Sequence, residues 1–327
     1  MKQAKIIGTG SYLPEKVLSN ADFEKMVDTT DEWITSRTGM KERRIAAEGE
    51  CTSHMGVKAS QKAMEDAGVT PDQIDLVLFS TLTPDYVFPS TACILQSELK
   101  LPNAAAMDLQ AACTGFIYAL SVAKSYIEAG LYKNILVVAG DKLSSIVDYE
   151  NRSTCVLFGD GAGACVVSDQ GKGLILKDAV LGCDGDQTQI LLQPAGGSRN
   201  PATRETVDQR MHFITMEGKE VFKHAVRRME ASSRECIEKA GLTEDQISWL
   251  IPHQANVRII DAIAKRFHVD PERVYMTVQK YGNTSSSTVA IALDELLGEK
   301  QLSKGENILL TAFGAGLTWG SMVLCHE

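Results

Sequence analysis

The sequence is short of several things, and each shortage excludes something. None of its 327 residues falls in an apolar run approaching the roughly 20 that a membrane helix needs, so no membrane partner is expected. The opening MKQAKIIGTGSYLP reads as a polar lead into a strand and turn rather than as a targeting peptide. Basic residues are in deficit: 33 Lys and Arg stand against 42 Asp and Glu, a net charge of −9, which argues against a nucleic-acid partner. No CxxC pair occurs, and the eight cysteines and six histidines do not combine at zinc-ligand spacings, so neither a metal nor a redox motif is expected. Reduced thiols and a cytoplasmic setting fit best. Proline is sparse, and with 44% hydrophobic and 23% charged residues the chain has enough apolar material for two core-forming units.

What is there is organised around Asp108-Leu109-Gln110-Ala111-Ala112-Cys113-Thr114-Gly115. Residues 103–109 are small and apolar, suited to a buried strand, and Phe116 to Ile127 is apolar at helical spacing. Cys113 therefore falls where a strand turns into a helix. Unpaired N–H groups and the positive end of the helix dipole favour an anion there, so this thiol is expected to ionise more readily than a free one. A buried structural role is the usual fate of a lone cysteine, and most of the other cysteines fit it.

In chain order, Asn20 is placed as the N-cap of a short helix carrying Phe23 and Met26. Trp33 and Arg37, four apart, share a helical face, either as core plus solvated rim or as a platform for a flat anionic ligand. Ser53 to Ala67 reads as a helix, and Leu76 to Phe79 and Asn134 to Ala139 as strands.

An internal repeat is present. Residues 65–74, EDAGVTPDQI, match 238–247, EKAGLTEDQI, at seven of ten positions, an offset of 173. At the same offset Ala119-Leu120 meets Ala292-Leu293, and Asn134-Ile135-Leu136 meets Asn307-Ile308-Leu309. Two copies of one helix–strand unit follow, residues 1–172 and 173–327, with a parallel or mixed sheet and helices on both faces. The stretches 169–173 and 194–201 read as linkers separating them. The repeat sets Ser80 against His253 and Cys113 against Ser286, with Asn283 three residues earlier. If the copies pack about a pseudo-twofold axis, Cys113, His253 and Asn283 converge. Each alone has a plain alternative, a core histidine or a turn asparagine.

DLQAACTGF around Cys113, PHQANVRI around His253, YGNTSSS around Asn283 and the closing FGAGLT together resemble the motifs of β-ketoacyl-acyl carrier protein synthase III, the initiating condensing enzyme of type II fatty-acid synthesis. DEWITSRTGMKERRIA, FPSTAC, TCVLFGDGAGA and GKEVFK extend the resemblance over essentially the whole chain. It implies the thiolase-like α/β fold, five layers α-β-α-β-α made of two duplicated halves. It also implies Cys113 as acyl-accepting nucleophile, with His253 and Asn283 as donors to the carbanion formed when malonyl-acyl carrier protein loses carbon dioxide. The backbone N–H groups of Cys113 and Gly316 become the oxyanion donors. Trp33, Arg37 and Arg152 match coenzyme A contacts; Thr38, Gly218, Phe222 and Asn256 match the pantetheine tunnel.

The resemblance further implies a homodimer in which Phe88 reaches into the partner's acyl pocket, against the plain alternative of a core aromatic. Arg258, Lys265 and Arg266, with Lys223 on another helix, form a candidate dock for the acidic carrier protein, although a solvated helix face is the usual reason for such charges. Acyl-CoA and malonyl-acyl carrier protein are the expected substrates, with no resident cofactor. Asn283 in place of a second histidine argues against the elongating condensing enzymes, and Cys325, expected as a buried strand residue, does not fit the second cysteine of thiolases. Residues 185–213 look longer than in the commonest members and bear on the active-site rim or dimer edge. A related acyltransferase of a specialised, polyketide-type pathway and a noncatalytic scaffold are the competing expectations, the latter disfavoured because all three site residues are intact.

Overall fold

Nine strands share one hydrogen-bonded sheet in the computed structural model, which describes residues 2–267 and 269–327. In chain order they are β1 (Lys5–Tyr12), β2 (Leu76–Ser80), β3 (Ala105–Leu109), β4 (Asn134–Asp141), β5 (Gly161–Ser168), β6 (Leu174–Cys183), β7 (Ile247–Pro252), β8 (Asn307–Gly314) and β9 (Thr318–His326). Across the sheet the order is β7-β8-β9-β6-β1-β5-β4-β2-β3. Within the sheet the two halves join at a narrow seam, where among the described residues β1 and β6 pair only through Lys5–Ile175 and Ile6–Leu174. In the first half β2 runs parallel to β3 and β4, and in the second β7 runs parallel to β8; the other neighbours are antiparallel.

The helices that position the site are α1 (Asp31–Thr38), α2 (Thr52–Ala67), α3 (Thr91–Glu98), α4 (Gly115–Glu128), α5 (Gly218–Lys239), α6 (Val257–Arg266) and α7 (Ser287–Glu299). Strand residues alternate between faces, and the buried strands are apolar on both, as strands covered by helices on each side must be. Leu78 and Val137 face a central core with Phe116 and Leu120 of α4, Val289 and Leu293 of α7, and Ile251 and Leu310 of the other half. Their neighbours Val77, Phe79 and Leu136 face α2 and α3 through Met55, Ala59 and Leu95. In the second half Leu250, Leu309 and Val323 face α5 and α6 through Met229, Ile259 and Ile263. The five layers are α2/α3, one half-sheet, α4/α7, the other half-sheet and α5/α6. Positions 173 apart occupy matching places in α2 and α5, α4 and α7, and β4 and β8, and in the short turns Pro71–Gln73 and Glu244–Gln246 that precede β2 and β7.

Four local expectations are corrected. Residues 103–109 do not make a buried strand: β3 is the sheet edge, has β2 as its one partner, and leaves Ala105 and Met107 exposed. Ser19, not Asn20, caps the first short helix, because its backbone N–H and hydroxyl both engage Asp22 at 3.0 and 2.6 Å, which frees the Asn20 amide for the interior. The stretch 194–201 does not separate the halves; it lies between β6 and α5, where residues 185–213 fold into the turn Gly185–Ile190, a two-residue strand Leu191–Leu192 paired with Thr215–Met216, and a short helix Arg204–Asp208. Cys325, near the end of β9, is half-buried.

Candidate active site

Cys113 sits on a short helical turn, Ala112–Thr114, between β3 and α4. The chain reaches it through Ala112 in the left-handed region at φ 45°, an uncommon conformation for a residue with a Cβ. Gly314 at the end of β8 presses on this elbow: a Cβ there would lie 2.7 Å from the Cys113 nitrogen. Gly316 adopts φ 134°, open to glycine and hardly to other residues. Among the described residues, the N–H groups of Cys113 and Gly316 have no backbone acceptor outside helices and strands.

The sulfur does not ionise as expected. Burial pushes the Cys113 thiol up to about 12; the Ser285 hydroxyl opposes that shift, and the negative charge of buried Asp141 adds to it. A helix terminus is worth about 1 kcal/mol to an anion, and loss of water around a buried sulfur outweighs it. Cys113 rests as a thiol. Ser285 itself lies at φ 56°, and its hydroxyl makes no hydrogen bond of normal geometry among the described residues.

His253 follows β7 directly. Its N–H donates to the Thr311 carbonyl at 2.8 Å, and its Nδ1 lies 2.6 Å from Thr288 Oγ1 on α7. Burial lowers the imidazole to about 3, so it is neutral at physiological pH. Asn283 stands on the loop before α7. Its Oδ1 accepts the Ser285 N–H at 2.8 Å, which leaves the amide nitrogen without a protein acceptor among the described residues.

The Asn283 loop is anchored from across the molecule. Asn283 N–H donates to the Leu157 carbonyl at 2.9 Å and its carbonyl accepts the Gly159 N–H at 3.0 Å. The fully buried Arg43 holds that segment: Nε donates to the Val156 carbonyl at 2.8 Å, Nη1 donates to Asn20 Oδ1 at 2.5 Å, and the guanidinium lies 4.8 Å from the Phe23 ring. Burial lowers Arg43 only to about 10, so the charge remains. Asn20 in turn donates to Asp31 Oδ1 at 2.7 Å, at the start of α1. Sequence reading misses Arg43, because nothing in a Glu-Arg-Arg-Ile run distinguishes an inward from an outward arginine.

Cys113, His253 and Asn283 line one cavity of about 730 Å³. Trp33, Arg37, Thr38, Gly218, Phe222 and Asn256 line it too, as does the exposed Arg258. Arg152 is not on the wall, but its guanidinium lies 5.0 Å from the Trp33 ring centroid, with Arg37 at 5.1 Å from the same ring. Two cations thus share one indole. Ser153, Leu191, Met216 and Lys219 also line the cavity, and no sequence signal singles them out. Leu191 and Met216 belong to the strand pair attached to the 185–213 segment, so that segment shapes the cavity wall.

The residues expected at the partner's pocket, the Gly316 oxyanion position and the carrier-protein dock are, Arg258 apart, off this cavity wall. Phe88 is 85% exposed beside exposed Tyr86 and Val87, which excludes a core role. Gly316 is not on the cavity wall, although its neighbour Gly314 is. Arg266 pairs with Glu230, and Lys223 with Glu220 at 3.5 Å, while Lys265 borders a second hollow beside Asp261. The basic residues are therefore dispersed, with Arg258 at the cavity and Arg266 already engaged by a carboxylate. Among the described residues no cluster of three or more His, Cys, Asp or Glu could hold a metal, and no helix is long and apolar enough to cross a membrane.

Models of the two parts of 3-oxoacyl-[acyl-carrier-protein] synthase III match residues 107–185 and, for its C-terminal part, 237–325. The β-ketoacyl-[acyl-carrier-protein] synthase III of Chlamydia caviae is 58% identical over 325 residues, covering 99% of this chain and 97% of the relative. That of Caldanaerobacter subterraneus is 53% identical over 321 residues, covering 98% and 97%. The crystal structure of 3-oxoacyl-[acyl-carrier-protein] synthase III from Aquifex aeolicus superposes with a TM-score of 0.91 at 47% identity, covering 99% of this chain and all of that one.

Proposed function

The chain belongs to the β-ketoacyl-[acyl-carrier-protein] synthase III family, and from that premise we propose that its cavity joins a short acyl-CoA to malonyl-acyl carrier protein by decarboxylative condensation. The reading rests on one observation above all: a thiol, a neutral imidazole and a carboxamide with a free amide nitrogen line the same cavity, beside an indole flanked by two guanidiniums. The family relationship favours the initiating synthase over a specialised-pathway acyltransferase.

In the first half-reaction Cys113 sulfur bonds to the acyl carbonyl carbon and the carbon–sulfur bond to coenzyme A breaks; the proton lost by Cys113 balances the one gained by the departing thiol. Because burial keeps Cys113 protonated, attack and proton loss are linked rather than preceded by a standing thiolate. The N–H groups of Cys113 and Gly316 receive the oxyanion. In the second, malonyl thioester releases carbon dioxide, and His253 and Asn283 donate to the thioester oxygen as charge develops there. The carbanion then attacks acyl-Cys113, and the released sulfur takes up a proton. A buried, neutral imidazole offers a donor without adding a charge that would need water.

Trp33, Arg37 and Arg152 are assigned to the adenine and phosphates of coenzyme A, with stacking and charge-assisted bonds as the chemistry. Thr38, Gly218, Phe222 and Asn256 are assigned to the pantetheine arm. Arg258, with Lys223, Lys265 and Arg266 around it, is assigned to the carrier protein. A second copy of the chain is assigned to the exposed Tyr86-Val87-Phe88 loop, because single-chain water exposure of three adjacent large apolar side chains is costly. The boundary between halves is set at 172/173, in the loop between β5 and β6. No resident cofactor or metal is assigned, and a cytoplasmic location fits these substrates.

Incubation with acetyl-, isobutyryl- and longer acyl-CoA, followed by intact-protein mass measurement, tests the first step. One acyl adduct is expected, lost in Cys113→Ser; an undiminished adduct in that variant overturns the assignment. Addition of malonyl-acyl carrier protein should discharge the adduct into a β-ketoacyl product.

A further inference from the structure

The imidazole can act as a donor toward the cavity only if Nε2 carries its proton, and α7 supplies a reason why it does. Thr288 Oγ1 lies 2.6 Å from His253 Nδ1, and both residues are buried. A threonine inside a helix ordinarily sends its hydroxyl proton back to a carbonyl one turn earlier. Here that carbonyl, Thr284 O, already accepts the Ser287 hydroxyl at 2.9 Å. Among the described residues His253 Nδ1 is the one partner in hydrogen-bond range of the Thr288 hydroxyl.

The two possible arrangements are therefore unequal. If Nδ1–H donates to Thr288, the hydroxyl proton is left buried without an acceptor, which is costly. If the hydroxyl donates to Nδ1, every proton on that side is used and Nε2–H is the imidazole's remaining donor. We propose that Thr288 is a positioning residue that fixes the Nε2–H form of His253, the form able to donate to a reacting thioester. The proposal rests on the condensing reading for its kinetic consequence but not for the protonation state itself. The duplicated half carries the complementary arrangement: Gly115 takes the place of Thr288, and a Cβ there would overlap Ser80 Oγ, the counterpart of His253, at 1.7 Å.

The test uses full-length wild type, Thr288→Val and Thr288→Ser. Nitrogen NMR of histidine-labelled wild type should show His253 with an unprotonated Nδ1 and a protonated Nε2; a protonated Nδ1 overturns the proposal whether or not the protein condenses anything. Thr288→Val should acylate Cys113 from acetyl-CoA within about threefold of wild type, yet lose about 100-fold in kcat for malonyl-carrier-protein condensation with KM little changed, the scale expected for loss of one aligned donor. Thr288→Ser should recover most of that loss and keep the wild-type nitrogen pattern. Unchanged condensation in Thr288→Val, or equal losses in acylation and condensation, refutes the positioning role. A wild type that acylates and never condenses would instead sink the condensing reading, while the nitrogen spectrum still decides the tautomer.

Discussion

At the ends of two equivalent strands, β4 and β8, the duplicated halves carry different side chains, with large consequences. β4 ends in Asp141, whose Oδ2 accepts the N–H and hydroxyl of Ser286 at 3.3 and 2.8 Å, closing the start of α7. Its other oxygen accepts the Thr81 hydroxyl at 2.9 Å and the Leu82 N–H at 2.8 Å. The matching position on β8 is Gly314, and the residue matching Ser286 is Cys113. One half fills its strand-to-helix junction with a carboxylate. The other has Gly314 there, so no carboxylate caps the Cys113 N–H, and both residues line the cavity. Duplication supplied two such junctions; one holds the halves together, and the other is the one proposed for the chemistry.

The sharpest way to break that contrast is Gly314→Ala. The added methyl would meet the Cys113 nitrogen at 2.7 Å, so the elbow must shift. A loss of about 10³-fold, or roughly 4 kcal/mol, is expected in both acylation and condensation, since the N–H proposed as an oxyanion donor moves. Adduct kinetics by mass spectrometry read it directly, alongside circular dichroism to show that the fold is retained; near-wild-type rates would mean that the open junction is irrelevant.

Asp141→Asn attacks the closed junction. An amide group in that place sets donors against the Ser286 or Thr81 and Leu82 donors, and a buried network broken in this way costs about 3 kcal/mol. Urea denaturation followed by fluorescence should show the midpoint falling; an unchanged midpoint would remove the structural role assigned to that carboxylate.

Titration sharpens the contrast least but tests both site groups. The unfolded imidazole takes a proton near 6.5, whereas buried His253 does so only at about 3. Protonation therefore favours the unfolded chain as pH falls through that window. Between pH 7 and pH 5 wild type should lose about 2 kcal/mol more than His253→Gln in paired urea titrations. For Cys113 the sign is opposite: the unfolded thiol ionises near 9 and the folded one at about 12, so stability declines as pH rises across that range. Alkylation of Cys113 by iodoacetamide should still be climbing at pH 9.5; a plateau below pH 8 would restore the low-pKa thiol expected from its place at a helix start.

Local pattern goes far for this chain. Helices α2 and α4 are legible because their apolar residues recur at helical spacing, and β4 because a continuous apolar run bounded by turns has few other uses. Self-similarity sets Cys113 against Ser286 and His253 against Ser80, one member of each pair in each half. Edge and centre are not distinguishable for residues 103–109, since small apolar residues suit both and the number of sheet neighbours is not a local property. Arg43, Ser285 and Thr288 are illegible for the same reason: each matters through a partner more than 30 residues away or through a backbone angle.

By itself the sequence determined the duplicated architecture, the family, and which thiol, imidazole and carboxamide to watch, because those are written in periodicity, in self-similarity and in contiguous motifs. Tertiary structure alone decided their chemical state. Burial keeps Cys113 a thiol and His253 neutral, and Arg43, Thr288 and Gly314 bear on the Asn283 loop, the His253 ring and the Cys113 elbow from distant parts of the chain. Solvent exclusion and long-range contact belong to the folded chain as a whole, and no stretch of sequence encodes them separately.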